Sequence, residues 1–289
     1  MAVMKMALKS LNAEPAELRE RLRDALAADQ VDLPPLPQVA AEVVANGAAD
    51  PRNAAAFSRL IQRDPALAAN IMRIANAAAY RPRAPIVSLQ QAVAWLGITE
   101  IRNIALAVCV RGQLFVAPGH EPEIHGLWRE SVATASWARA LARLKKRNVE
   151  SAYLCGLLHR IGRAAAIATL SRIEVAGRHT VAARTFSALA DEFEWDFGRR
   201  LAEKWQLPAS VSDVINGWRN AGRATGSSAE VLQVHVGHML AIEVLHPELS
   251  NLALLDEHGA LADLDMYPDE LQALRKEADQ VLAAIAHLG

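Results

Sequence analysis

Cysteine is scarce in this 289-residue chain. Cys109 and Cys155 each sit inside apolar helical text, outside any C-x-x-C pair or Cys/His cluster with zinc spacing. That leaves no basis for a cysteine-ligated metal centre, and both read as small core residues. An excess of one charge is missing as well. The 31 Lys and Arg oppose 32 Asp and Glu, a formal net charge of -1, so no whole-chain field draws the protein to nucleic acid or an anionic membrane. At the N-terminus, Lys5 and Lys9 interrupt MAVMKMALKSL before a signal-peptide core or a membrane span develops, and a soluble, cytoplasmic protein is expected. Nothing matches a G-x-S-x-G elbow, a Walker loop or a glycine-rich dinucleotide turn, which removes the chemistries those motifs carry. Low-complexity runs and repeats at solenoid period are absent too.

Helical periodicity is what the chain does have. With 52% hydrophobic and 22% charged residues it can bury one large or two small cores, and its apolar residues recur at three and four without a convincing strand. An all-α fold follows. Asn12 can cap a first helix with Leu18, Leu22 and Leu26 on one face, running to about Ala28, where DLPPLP breaks the chain. Pro37 can open a second helix (Val39, Val43, Val44) ending at Asn46-Gly47, and Asn53 a third. Asp64-Pro65 is a start signal, Ser88 with Gln91 reads as a capping box, Gly97 ends that helix and Thr99 caps the next. The two helices joined at LGI resemble a helix-turn-helix, a spacing common without DNA.

The loop APGHEPEIHG at 117–126 gathers Pro and Gly between periodic segments and is the best internal boundary. A helix from about Leu127 to Arg147 follows, with Arg139, Arg143 and Lys146 on one face; a solvated face and a nucleic-acid stripe are the two readings. Further helices are predicted at 149–158, 161–176, 180–192, 195–206, 208–220 and 228–245, and a last one from about Pro268. Asp191, Glu192, Glu194 and Asp196 around Trp195 read as a solvent-facing charge run at a helix junction.

The stretches LPPLPQVAAEVV, IQRDPALAANIMRIANAAAY and VSLQQAVAWLGITEIRNIALAV resemble the N-terminal half of the HDOD family, output domains related to HD phosphohydrolases. LWRESVATA, AYLCGLLHRIGRAA, FGRRLAEKWQLPASVSDVI and VLQVHVGHMLA continue the likeness over residues 31–245. The resemblance implies two helical lobes, an N-terminal HDOD-specific bundle packed on a C-terminal HD-like bundle. Residues 1–30 would then be a helical extension, 31–226 the HDOD domain with lobes divided near 117–126, and 227–289 helices completing the HD-like bundle plus a terminal helix.

HD phosphohydrolases hold divalent metals with a His, a His-Asp pair and a later Asp. By resemblance these positions fall on Glu130, on His159-Arg160 and on His238. Near Asn216 to Arg219, where some family members carry extra histidines, none is found. Arg160 stays protonated and has no lone pair to donate. At 4 Å it repels a unit positive charge by roughly 4 kcal/mol at an effective dielectric near 20, and a dication by about twice that. A Glu130 to Arg160 ion pair in the vacated metal position is expected, with no catalytic residue, no metal and no cofactor. Three readings of the histidines stay open: a hydrogen-bonded His159 between helices, an anion or small-molecule contact by His159 and Arg160, or a metal on Glu130, His159 and His238. His235 shares nearly the same helix face as His238.

The resemblance implies a non-catalytic signal-transduction output or adaptor module. It would act through regulatory protein partners, or a small ligand, in bacterial two-component or cyclic di-GMP regulation. A residual metal-dependent phosphodiesterase or nucleotide phosphohydrolase is the alternative. Membrane and nucleic-acid partners are not expected. Arg81 and Arg83 beside the 117–126 loop form one candidate surface, with solvated loop charges as the plainer reading, and the exposed side of the terminal helix is another.

Overall fold

Several helices start where the sequence offers an oxygen to amides that have no partner within the helix. Asp64 accepts from Leu67 N at 3.0 Å, Ser88 from Gln91 N at 3.2 Å, Asn148 from Glu150 N and Ser151 N at 3.0 Å, and Ser228 from Val231 N at 3.4 Å. The computed structural model describes residues 15–27, 33–46, 54–77, 82, 84–177, 181–221, 226–249 and 255–288. Among them the chain forms fifteen α-helices and no strand. These are α1 (Pro15–Ala27), α2 (Gln38–Asn46), α3 (Ala54–Gln62), α4 (Pro65–Ala75), α5 (Leu89–Leu96), α6 (Ile98–Leu114), α7 (Glu121–Leu144) and α8 (Val149–Leu158). There follow α9 (Ile161–Gly177), α10 (Ala183–Lys204), α11 (Ala209–Gly217) with a 3-10 turn Trp218–Asn220, α12 (Ala229–Leu245), α13 (Gly259–Asp263), α14 (Pro268–Arg275) and α15 (Ala278–Leu288).

Helix α6 packs against α2, α4 and α5 and also against α8, α9 and α15, while α7 carries α8, α12, α14 and α15. Buried side chains on both sides of residues 117–126 belong to one connected cluster. No single helix among the described residues is long and apolar enough to cross a membrane.

Four expectations need correction. Helix α7 opens at Glu121, not Leu127, because Pro122 fits a first turn whose amides are orphans anyway, and Glu121 and Glu123 suit its positive end. The remaining turn is pinned by Ser171 Oγ donating to Pro118 O at 2.7 Å and by the contact of His120 with Glu174. Second, 180–192 and 195–206 are one helix, α10, since neither Pro nor Gly stands between Ala183 and Phe197 to break it. Third, the helix from Pro268 breaks after Arg275 and resumes at Ala278. Fourth, Thr99 is not a cap; α6 starts at Ile98 after Gly97, whose φ of 80° makes a one-residue turn, and Thr99 Oγ1 donates to Glu150 at 3.0 Å. Asn12, Gly47 and Asn53 lie outside the described residues. Helices α5 and α6 turn through 116°, but every residue from Ile101 to Ala107 is buried, so α6 cannot lie in a DNA groove.

Backbone contacts set the positions of α7 to α12. A Cβ on Gly162 would overlap the Glu194 carbonyl oxygen and stand 2.6 Å from Gly198 N, and one on Gly156 would stand 2.6 Å from Ala135 Cα. At Gly237 it would come within 3.1 Å of Ala138 N. Gly162→Ala is therefore expected to lose about 3 kcal/mol or more of stability. Gly126→Ala, in α7 with no atom within 4 Å of the added carbon, should gain about 0.5–1 kcal/mol. Urea unfolding of the two variants checks this, and equal midpoints would refute the close crossing.

Candidate functional site

The four positions singled out by sequence converge. Glu130 projects from α7, His159 caps the C-terminal end of α8, Arg160 precedes α9, and His238 lies on α12. Arg160 Nη1 is 2.8 Å from Glu130 Oε2, while Glu130 Oε1 faces His246 Nε2 at 3.3 Å. Arg160 also donates from Nε to Glu194 Oε1 at 3.3 Å and lies 3.7 Å from Asp191. Arg219 holds the other oxygen of Glu194 and is 3.6 Å from Asp191. Arg163 completes the network, reaching Asp191 at 2.8 Å, Glu123 at 3.1 Å and Ser187 Oγ at 2.7 Å. Burial would lower the Arg163 pKa, but its bond to Asp191 and the charges of Asp191, Glu123 and Glu194 raise it on balance.

The sequence reading missed Asp191 and Glu194 as partners, placing them in a solvent-facing run. Glu194 is in fact buried. Because α10 is continuous, Ser187, Asp191 and Glu194 stand at i, i+4 and i+7 on the face toward α9. The signal was present as that spacing, and recognising an unbroken helix was the missing step. Glu192, on another face, pairs with Arg19 of α1.

Backbone partners fix where the histidine protons sit. The Gly156 carbonyl, 2.7 Å from His159 Nδ1, can only accept, so Nδ1 carries the proton. Burial, then the charge of Arg160, depresses the His159 pKa to about 3, so the ring is neutral and Nε2 is a lone pair. His238 Nδ1, 3.4 Å away, must then donate to it. The His238 pKa is likewise driven well down, first by burial, then by His159 and Arg160. A second pair repeats the order. His235 Nδ1 donates to Trp218 O at 2.7 Å, and Ala260 N donates to His258 Nδ1 at 3.2 Å. His258 Nε2 therefore donates to His235 Nε2 at 3.2 Å. The Trp218 ring stands edge-on to His159 and His238, with ring centroids 4.8 and 4.6 Å away.

The HDOD domain family matches residues 33–221, well over half of the chain. The chain belongs to the HDOD family. Its fold resembles that of an HDOD domain protein of unknown function from Geobacter sulfurreducens (TM-score 0.71, 19% identity, covering 93% of this chain and 99% of that one). A proposed metal-dependent phosphohydrolase from Shewanella amazonensis SB2B is similar too (TM-score 0.69, 21% identity, 95% and 99% covered). So is a proposed signal transduction protein from Marinobacter aquaeolei VT8 (TM-score 0.66, 19% identity, 96% and 67% covered). An uncharacterized protein of Treponema pallidum is 24% identical over 173 residues, 57% of this chain, and the match spans 33% of that relative's length.

In this HDOD chain the donor set does not fit a divalent ion. Arg160 brings a fixed positive charge into the group, Glu130 is engaged by Arg160 and His246, and the lone pair of His159 Nε2 faces an N–H of His238. Among the described residues no cluster of three or more His, Cys, Asp or Glu is disposed to hold a metal. Arg81 and Arg83 lie outside the described residues. The expected basic stripe is broken, since Arg139 bonds Glu100 at 2.7 Å and stacks over Tyr153, leaving Arg143 and Lys146 exposed. Cys155 is buried and Cys109 partly so; burial raises their thiol pKa values to about 12 and about 11, which keeps both protonated.

Arg160→Met would leave half-buried Glu130 and buried Glu194 without their shared cation. It is expected to cost about 1.5–3 kcal/mol, since Arg219 and His246 still face the two acids, with part recovered by adding Glu130→Gln. Strictly additive losses in urea unfolding would show that the pair is not coupled. A pH effect follows from the histidines. Below about 6.5 the unfolded chain takes up protons that folded His159 and His238 refuse, so stability is full above that pH and falls as pH drops toward 3. Each ring contributes up to about 1.4 kcal/mol per pH unit, and His159→Gln should lower the slope by about one proton. An unchanged slope would contradict the neutral assignment.

Proposed function

We propose that this HDOD protein is a non-catalytic signal-transduction adaptor of the bacterial cytoplasm. It passes a signal through protein contacts in two-component or cyclic di-GMP regulation. One observation carries the reading: the Arg160 guanidinium, bonded to Glu130 and close to Glu194, stands where an HD hydrolase would keep an acidic metal ligand. An ion there would meet a fixed cation in place of a carboxylate, and an activated water would lose the charge that makes it nucleophilic. Membership of the HDOD family supports a signalling role, and so does likeness in fold to the proposed signal transduction protein of Marinobacter aquaeolei VT8. The Shewanella amazonensis relative keeps metal-dependent phosphoester hydrolysis as the competing reading.

Protein purified without a histidine tag should contain well under one equivalent of iron, manganese or zinc. It should leave bis(p-nitrophenyl) phosphate intact with added manganese or magnesium. Stoichiometric metal, or turnover abolished by His159→Ala, would overturn the adaptor reading in favour of a phosphohydrolase.

A further inference from the structure

Helix α1 contributes to the same core as the rest of the bundle. Its stripe of Leu18, Leu22 and Leu26 is buried, it packs on α10, and Arg19 Nε bonds both oxygens of Glu192 at 2.8 and 2.9 Å. It also precedes residue 33, where the family match begins. At 13 residues it is too short to hold as an isolated helix in water, so docking is what makes it helical. Its ion pair with α10 has side chains 41% and 39% exposed, a setting that salt screens. Between α1 and α2 stand Pro34, Pro35 and Pro37, which prevent the two from merging into one helix. The same α10 carries Asp191 and Glu194 on either side of Glu192, so whatever sits on Glu192 is one residue from the arginine network.

We infer that the Glu192 face of α10 is a helix-docking surface. Its resident occupant is α1, and a partner can replace α1 with an amphipathic helix of the same chemistry: leucines at i, i+4 and i+8, and a cation after the first of them. The inference rests on the adaptor reading, for which it names the contact surface and the class of partner. Charge complementarity selects the occupant, because both oxygens of Glu192 accept from the Nε–H of one guanidinium while the leucines beside it are buried.

Hydrogen exchange on the full chain tests the first half. Amides of α1 should exchange on the order of 100-fold faster than those of α7, and equal protection would overturn the inference. A fluorescent peptide of residues 13–30 tests the second. It should bind the full-length Leu22→Asp chain, whose own α1 is dislodged, and bind the unaltered chain at least ~10-fold more weakly, since α1 holds the site there. Arg19→Glu in the peptide should weaken binding several-fold. A folded Leu22→Asp chain that ignores the peptide would sink the docking surface. Should that variant not fold, exchange on the unaltered chain decides alone. Metal or turnover in the assays above would remove the adaptor reading without touching peptide binding, so the two failures are distinguishable.

Discussion

The approach of α9 to α10 at Gly162 and Gly198 is the constraint on which the site depends. No side chain fits at residue 162, because the Glu194 carbonyl oxygen occupies the space a Cβ would need. Two backbones in near contact place everything beside the crossing. Arg160 and Arg163, on either side of Gly162, are delivered to Glu194 and Asp191, and Gly156 performs the same service between α8 and α7. Packing of small residues thus fixes the geometry of large charged ones, and the charges inherit the rigidity of the interior.

Within that frame the guanidinium of Arg160 reorganises its surroundings. It bonds Glu130 and Glu194, is 3.7 Å from Asp191, and helps keep His159 neutral by its charge. Neutrality then determines the direction of the hydrogen bond from His238 to His159. A single cation at the head of α9 therefore influences carboxylates on α7 and α10 and the proton order on α12. Without it, Glu194 would keep only Arg219 and Glu130 only His246 as partners in a setting largely shielded from water.

The paired histidines add a second level of order. Trp218 sits between them, its ring against His159 and His238 and its carbonyl accepting from His235. The 3-10 turn after α11 is thereby tied to the C-terminal helices, and α13, α14 and α15 belong to the same core as the family-matched part.

Periodicity and capping residues made the fold class legible in the sequence, along with most helices from Pro65 to Leu245. So did the meaning of an arginine at residue 160, because its permanent charge is a property of the side chain and needs no neighbour to establish it. Tertiary structure alone settled which carboxylates answer that charge. Asp191 and Glu194 share a face only if α10 is unbroken, and Arg219 reaches them across 25 residues of chain from Glu194. Contacts of that range, like the proton positions of four histidines, depend on which backbone groups folding brings within hydrogen-bond distance, and a linear pattern does not encode them.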